Sequence, residues 1–215
     1  MVTPETWSRF VDDASPLPEG PVPRRPSPAV GARVVREEDL PRLLGYAGDV
    51  RVVLTGGAGQ VAGPSGWCVR HEIELVALDT TVRDLDDPAG NARRVVAAVH
   101  AARANGDLRD DTLVHVRVAH DLTASWLAAA DVLAEAAMVV VLSLDAGDPE
   151  PWLDAAMDRE LEVSLVGGTV EQAVAALGTA ARLWGEPGDL SRGRRWIRSW
   201  VSTDVDAALV HLGEL

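Results

Sequence analysis

"MVVVLSLDAGDPEPWLDAAMDRELEVSLVGGTVEQAVAALGTAARLW" spans residues 138–184 and carries the alternation on which the fold rests. Its opening run, Met138 to Leu144, is apolar except for Ser143 and reads as a strand buried on both faces. Asp148-Pro149 then opens a helix, with an acid ahead of a proline whose missing N–H costs nothing in a first turn. "EVSLVG" (162–167) returns to strand, and Gly167-Gly168 turns the chain. Thr169 and Gln172 have capping-box spacing for the next helix. Strand, helix, strand, helix with continuous apolar strands implies a parallel sheet covered by helices.

The same pattern extends in both directions. "ARVV" (32–35), "VRVVLT" (50–55), "EIELVALD" (72–79), "TLVHVRVA" (112–119) and "WIRSWVS" (196–202) bring the strands to seven. Between and after them lie helical segments, among them "AGNARRVVAAVHAARA", opened by Asp87-Pro88 and closed by Asn105-Gly106. Seven units with short loops predict an α/β protein, a small or incomplete TIM-barrel-like (βα) barrel. An open doubly wound parallel sheet is the alternative. Residues 4–13 read as a short helix. "SPLPEGPVPRRPSP" (15–28), with six prolines, reads as an extended arm. The expected organisation is an N-terminal helix and arm over 1–31 and one barrel-like domain over 32–215.

Composition narrows the chemistry. A net charge of −13 argues against nucleic-acid binding, which needs a positive surface. All 20 basic residues are Arg. A lysine Schiff base, a covalently held pyridoxal phosphate and a Walker-A lysine are therefore excluded. Cys68 stands alone, so no internal disulfide or Cys-x-x-Cys zinc site forms. No metal or cofactor is expected. The sequence shows neither a long apolar span nor a basic-then-apolar leader, and a cytoplasmic location is expected.

Four stretches resemble an uncharacterised actinobacterial family of predicted (βα)-barrel proteins: "FVDDASPLP", "VVLTGGAGQVAG", "LVALDTTVRDLDDPAGNARRVVAAVHAAR" and "WLDAAMDREL", within roughly residues 8–165. The resemblance implies the barrel fold and no particular reaction. Members carry a basic–aromatic–basic strand where this chain has "VVVLSLDAG". They carry a Lys- and Cys-containing strand and paired histidines where it has "LEVSLVGGTVEQA". This implies a diverged, shortened and non-catalytic member that acts by binding a partner or itself.

Several candidate sites stand out. "LTGGAGQVA" (54–62) fits G-x-G-x-x-A, with Gly56, Gly57 and Gly59 followed by Asp79 at the end of the next strand. Against dinucleotide binding, Pro64 and Gly66 follow where a helix should present its N-terminus. A tight turn is the favoured reading. Gly167, Gly168 and Thr169 lie between a late strand and a capped helix, where barrels hold phosphate, and are the preferred anion site. His115 and Arg117 share one face of a strand. Arg117 there either pairs with an acid in the interior or holds a carboxylate or phosphate, with His115, His120 or Asp79 moving a proton. Asp84 and Asp86 read as loop groups rather than metal ligands. Arg194, Arg195, Trp196 and Trp200, in an otherwise acidic chain, read as a charged rim or a subunit interface. The two functional readings are therefore partner or self association, and binding or turnover of a small anionic metabolite at the strand C-terminal ends.

Overall fold

The structure is a computed structural model and describes residues 4–118 and 121–213. A four-residue helix, α1 (Pro4–Trp7), precedes strand β1 (Val11–Asp13). The remaining strands are β2 (Val30–Arg36), β3 (Val50–Val53), β4 (Leu75–Val82), β5 (Leu113–Val118), β6 (Val139–Ser143), β7 (Val163–Val166) and β8 (Ile197–Ser202). All neighbours are parallel, and β1 pairs with β8 as well as β2, so the sheet is a closed eight-stranded barrel. The expected barrel class holds, and the open-sheet alternative does not. The barrel itself is complete.

What is incomplete is the outer ring. Helices α2 (Ala62–Arg70), α3 (Pro88–Ala104), α4 (Ala124–Glu135), α5 (Glu150–Met157), α6 (Val170–Leu183), α7 (Leu190–Gly193) and α8 (Val205–Leu212) cover β3 to β8. After β1 the proline-rich arm replaces a helix, and after β2 a 3₁₀ segment, Glu37–Leu43, does so. Arginines hold the arm in place. Arg25 bridges Asp13 (3.0 Å) and Asp206 (2.5 Å), Arg42 donates to the Pro18 carbonyl (2.7 Å), and Arg33 donates to the Ser15 carbonyl. Segment 1–31 therefore does more than carry a helix and an arm. It supplies the strand that closes the barrel, and β2 already begins at Val30.

The capping signals at Asp87 and Thr169 act as their chemistry requires. At Asp148-Pro149 the N-cap of α5 is instead Pro149, without a side-chain cap, and Asp148 accepts the Glu150 N–H at 3.0 Å. Asp87 accepts from the Gly90 N–H at 2.8 Å with Pro88 in the first helical position, and Thr169 and Gln172 form the full capping box of α6. The segment after "LTGGAGQVA" is helical despite Pro64 and Gly66. Pro64 lies in the first turn of α2, where its missing N–H is not needed. Between barrel and helices the core is aliphatic, with Leu78, Leu133, Leu153, Leu165, Leu177 and Ile197 fully buried. Each such side chain contributes about 1.5–3 kcal/mol.

Candidate functional site

The barrel interior is polar at its centre. Arg51, the second residue of β3, is 0% exposed and reaches side chains on four other strands. Its guanidinium binds Asp79 of β4 in bidentate fashion (Nε–Oδ1 2.8 Å, Nη2–Oδ2 2.7 Å). It also donates to Asp12 Oδ2 of β1 (2.9 Å), Ser164 Oγ of β7 (2.8 Å) and Ser199 Oγ of β8 (3.2 Å). Only a residue pointing into a closed barrel can make this set. Asp12 uses its other oxygen to accept the Ala32 N–H at 2.8 Å. His115 of β5 places Nδ1 3.2 Å from Asp79 Oδ1. Barrel interiors are usually layers of Val, Ile and Leu, whereas here one charged side chain is clamped by two carboxylates and two hydroxyls.

The electrostatics follow from this packing. Burial opposes ionisation of Asp79, but the Arg51 charge and then His115 overcome it and hold the carboxyl well below its usual range. Burial, and then the Arg51 charge, push His115 down, with partial compensation from Asp79. His115 is therefore neutral at pH 7, with Nδ1 turned toward Asp79 and both ring nitrogens buried without a well-aligned hydrogen bond. The expected buried Arg–Asp pair exists, but its arginine is Arg51. Asp79 is committed to it and is not placed as a base beside Arg117. The signal was readable: Arg51 alternates with Val50 and Val52 on a buried strand, as His115 and Arg117 alternate with valines.

Arg117 lies two residues beyond His115, on the same face of β5 and one layer nearer the strand C-terminal ends. It is exposed, and among the described residues it makes no ion pair or hydrogen bond. It lines an open cleft of about 310 Å³ between the loops after β5 and β6. Val141, Pro149 and Trp152 form apolar walls there, and Ser143, Asp121 and Asp148 supply oxygen groups. His120 lies outside the described residues.

The Gly-Gly-Thr turn already holds an anion, a protein carboxylate. Gly168 N–H donates to Asp145 Oδ1 at 2.9 Å, Thr169 N–H donates to Gln172 Oε1 at 2.8 Å, and Gln172 N–H donates to Thr169 Oγ1 at 3.4 Å. Of the N–H groups expected to receive phosphate, those of Gly168 and Thr169 are thus engaged within the chain.

"LTGGAGQVA" forms the link from β3 to α2. Among its glycines only Gly56 has a close neighbour, Gln60 Oε1 at 1.8 Å from an added Cβ, and that exposed side chain can swing away, so none of the three is sterically required. Gly57 and Gly59 have no such conflict, and none of the three has positive φ. Arg83 donates to the Thr55 carbonyl beside the turn. A closed barrel offers no topological switch point for a dinucleotide.

The remaining candidates have local explanations. Trp196 and Trp200 are buried, and Trp200 Nε1 donates to the Gly167 carbonyl at 2.8 Å, so they correct the expected interface by belonging to the core. Arg195 stacks on Trp184 and Trp196, while Arg194 lies over the Phe10 ring at 5.0 Å. Asp84 accepts the Asp86 and Asp87 N–H groups and pairs with Arg94. Burial pushes the Cys68 thiol up to about 11, away from nucleophilic use. Among the described residues, no cluster of His, Cys, Asp or Glu is arranged to hold a metal, and no helix is long and apolar enough to cross a membrane.

No family model and no curated protein matches the sequence. Solved structures do match. One is the apo form of a provisionally assigned deoxyribose-phosphate aldolase from Toxoplasma gondii ME49, with a TM-score of 0.61 and 14% identity over 97% of this chain and 95% of that one. At that identity the likeness establishes the fold, a TIM-type eight-stranded (βα) barrel, and nothing finer.

Proposed function

We propose that this protein binds a small anionic metabolite, carboxylated or phosphorylated, in the cleft at the C-terminal ends of β5 and β6, with Arg117 as its anchor. The observation that carries this reading is an exposed guanidinium, with no ion-pair or hydrogen-bond partner among the described residues, in a formed pocket at the barrel end where ligands of this fold bind. The planar fork of Arg117 suits bidentate pairing to a carboxylate or phosphate. Asp121 and Asp148 offer acceptors for hydroxyl groups and disfavour a ligand with charge spread over its whole surface, so a hydroxylated anion fits best.

The neighbour of the same fold is named for a phosphorylated sugar, which supports including sugar phosphates in the class. Chemistry through a lysine Schiff base is closed to a chain without Lys. The reading by association is weaker, because the Trp side chains that supported it are interior. We also propose that the chain is a diverged member of the actinobacterial barrel family it resembles.

The test is a thermal-shift titration with inorganic phosphate, a triose phosphate and a hydroxy-dicarboxylate, on wild type and Arg117→Gln. A saturable rise in wild type, lost in R117Q at unchanged intrinsic Tm, is expected. At one hundred times the Kd the stabilisation is about 2.7 kcal/mol. No response in wild type, or an equal response in R117Q, overturns the proposal.

A further inference from the structure

Where the proline-rich arm stands in for a helix, it leaves a hollow of about 550 Å³ between itself and the outer face of β1 and β2. That volume is within the range of small-molecule sites. Asp12 faces Arg51 inside the barrel, so Asp13 points outward into this gap, and Arg33 of β2 meets it there at 2.8 Å. The hollow shares no lining residue with the Arg117 cleft.

Its lining is basic in a chain of net charge −13. Arg9, Arg24, Arg25 and Arg33 face it, against the carboxylates of Asp13 and Asp49. Asp13 is shared by Arg25 (3.0 Å) and Arg33, and these two arginines hold the arm. The other two are available to a ligand. Arg24, on the arm, is exposed and makes no ion pair or hydrogen bond among the described residues. Arg9 pairs with Asp49, but its side chain is 57% exposed, and pairs so open to solvent contribute little and yield readily to a stronger anion. Pro23 and Pro26 flank Arg24-Arg25 and restrict the backbone, which lowers the entropy lost when the side chains are fixed. Tyr46 completes the wall. Its ring lies over Gly48, where an added Cβ would come 2.7 Å from the hydroxyl and 2.8 Å from the ring. That hydroxyl makes no hydrogen bond among the described residues, and burial pushes the phenol up, so it keeps a proton to donate.

We infer that this hollow binds a small organic molecule carrying two phosphate groups, which pair with Arg24 and Arg9 while the Tyr46 hydroxyl donates to a phosphate oxygen. Guanidinium forks suit phosphate, and two of them suit a ligand with two such groups better than a monophosphate. The volume, larger than the 310 Å³ of the Arg117 cleft, leaves room for an organic body against Pro26, Pro28 and Val30. Solvation alone accounts for a single exposed arginine. It does not account for four guanidinium groups gathered around one hollow of an acidic chain. A ligand held there ties the arm to the segments leading into β1 and β3.

Tyr46 is the sole tyrosine, so ring-¹³C tyrosine labelling gives one spin system that reports this hollow. The Arg117→Gln background, which removes the other proposed site, is titrated with fructose bisphosphate, with a triose phosphate, and with chloride at matched ionic strength. A saturable movement of the Tyr46 resonances with the bisphosphate is expected, with affinity lower on the order of tenfold for the triose phosphate. Chloride should give none. Arg24→Gln removes a side chain without a partner, so Tm should be unchanged while bisphosphate affinity falls on the order of tenfold. Arg9→Gln added to it should abolish the response. Absence of movement, an equal response to chloride or to the triose phosphate, or undiminished affinity in R24Q overturns the inference. None of these results bears on the Arg117 cleft, whose test compares wild type with R117Q.

Discussion

Arg51 and Asp79 meet across β3 and β4 through two hydrogen bonds of 2.8 and 2.7 Å, wholly inside the barrel. The pair organises the interior, because Arg51 also neutralises Asp12 and orders two serines. Arg51→Met leaves two carboxylates buried without a counter-charge. A loss of about 3–5 kcal/mol is expected. For a domain of this size that is a fall in Tm on the order of 6–20 °C. The triple variant D12N/R51M/D79N removes the charges together and should recover much of the loss. Thermal denaturation of the two variants checks this, and a triple variant as unstable as R51M would show that the cluster is not held by charge compensation.

This cluster also explains which parts of the fold the sequence revealed. The other seven strands are legible because their buried faces are runs of Val, Leu and Ile, the pattern a parallel strand needs when helices cover it. β1 is three residues long and two of them are Asp. Asp12 faces Arg51 and Asp13 faces Arg25 and Arg33, so no hydrophobic pattern marks the strand. The Arg117 position was readable from alternation along β5. Its separation from Asp79 was not, because it depends on Arg51 reaching across the barrel first. Gly167-Gly168-Thr169 misled for a similar reason: nothing local shows that Asp145, far back in the sequence, already occupies the turn.

His115 gives the stability a pH dependence of defined sign. Its folded-state value lies below the ordinary one, so as pH falls the unfolded chain takes up the proton first. Stability therefore falls with pH below about 6.5, by at most about 1.4 kcal/mol per pH unit from this group. His115→Gln should flatten that part of the profile. Urea denaturation from about pH 7.5 to about pH 5 measures it, and an unchanged slope in H115Q would place the titration elsewhere. Asp79 acts at lower pH: its contribution is complete above the unfolded carboxylate value and is lost as pH falls toward its depressed folded value.

Asp145 serves as a built-in anion at the start of α6. Asp145→Ala frees the Gly168 N–H and costs about 1 kcal/mol. The vacated turn then has an unengaged N–H at a helix N-terminus, where a phosphate is favoured. Phosphate should stabilise the R117Q/D145A double variant more than R117Q alone. Equal shifts would mean that the turn cannot accept an external anion. Gly168→Ala, at φ +65° and with a Cβ 2.6 Å from Leu144 Cβ, should be destabilising, the conformation alone costing about 1–2 kcal/mol.

Two helical glycines should respond with opposite sign to the same substitution. At Gly178, within α6, the nearest atom to an added Cβ is Leu190 Cδ2 at 3.7 Å, an ordinary contact. Gly178→Ala therefore reduces unfolded-state freedom without strain and should add about 0.5–1 kcal/mol. At Gly193, the last residue of α7, the same Cβ would lie 2.2 Å from the Leu177 carbonyl oxygen and 2.9 Å from its carbon. Those are backbone atoms of the facing helix, so relief requires moving α7 away from α6, and Gly193→Ala should cost about 1–3 kcal/mol. The Tm difference between the two variants measures how closely α7 packs on α6. If G193A proved neutral, α7 would be free to shift, and the contact would not be holding the chain between β7 and β8.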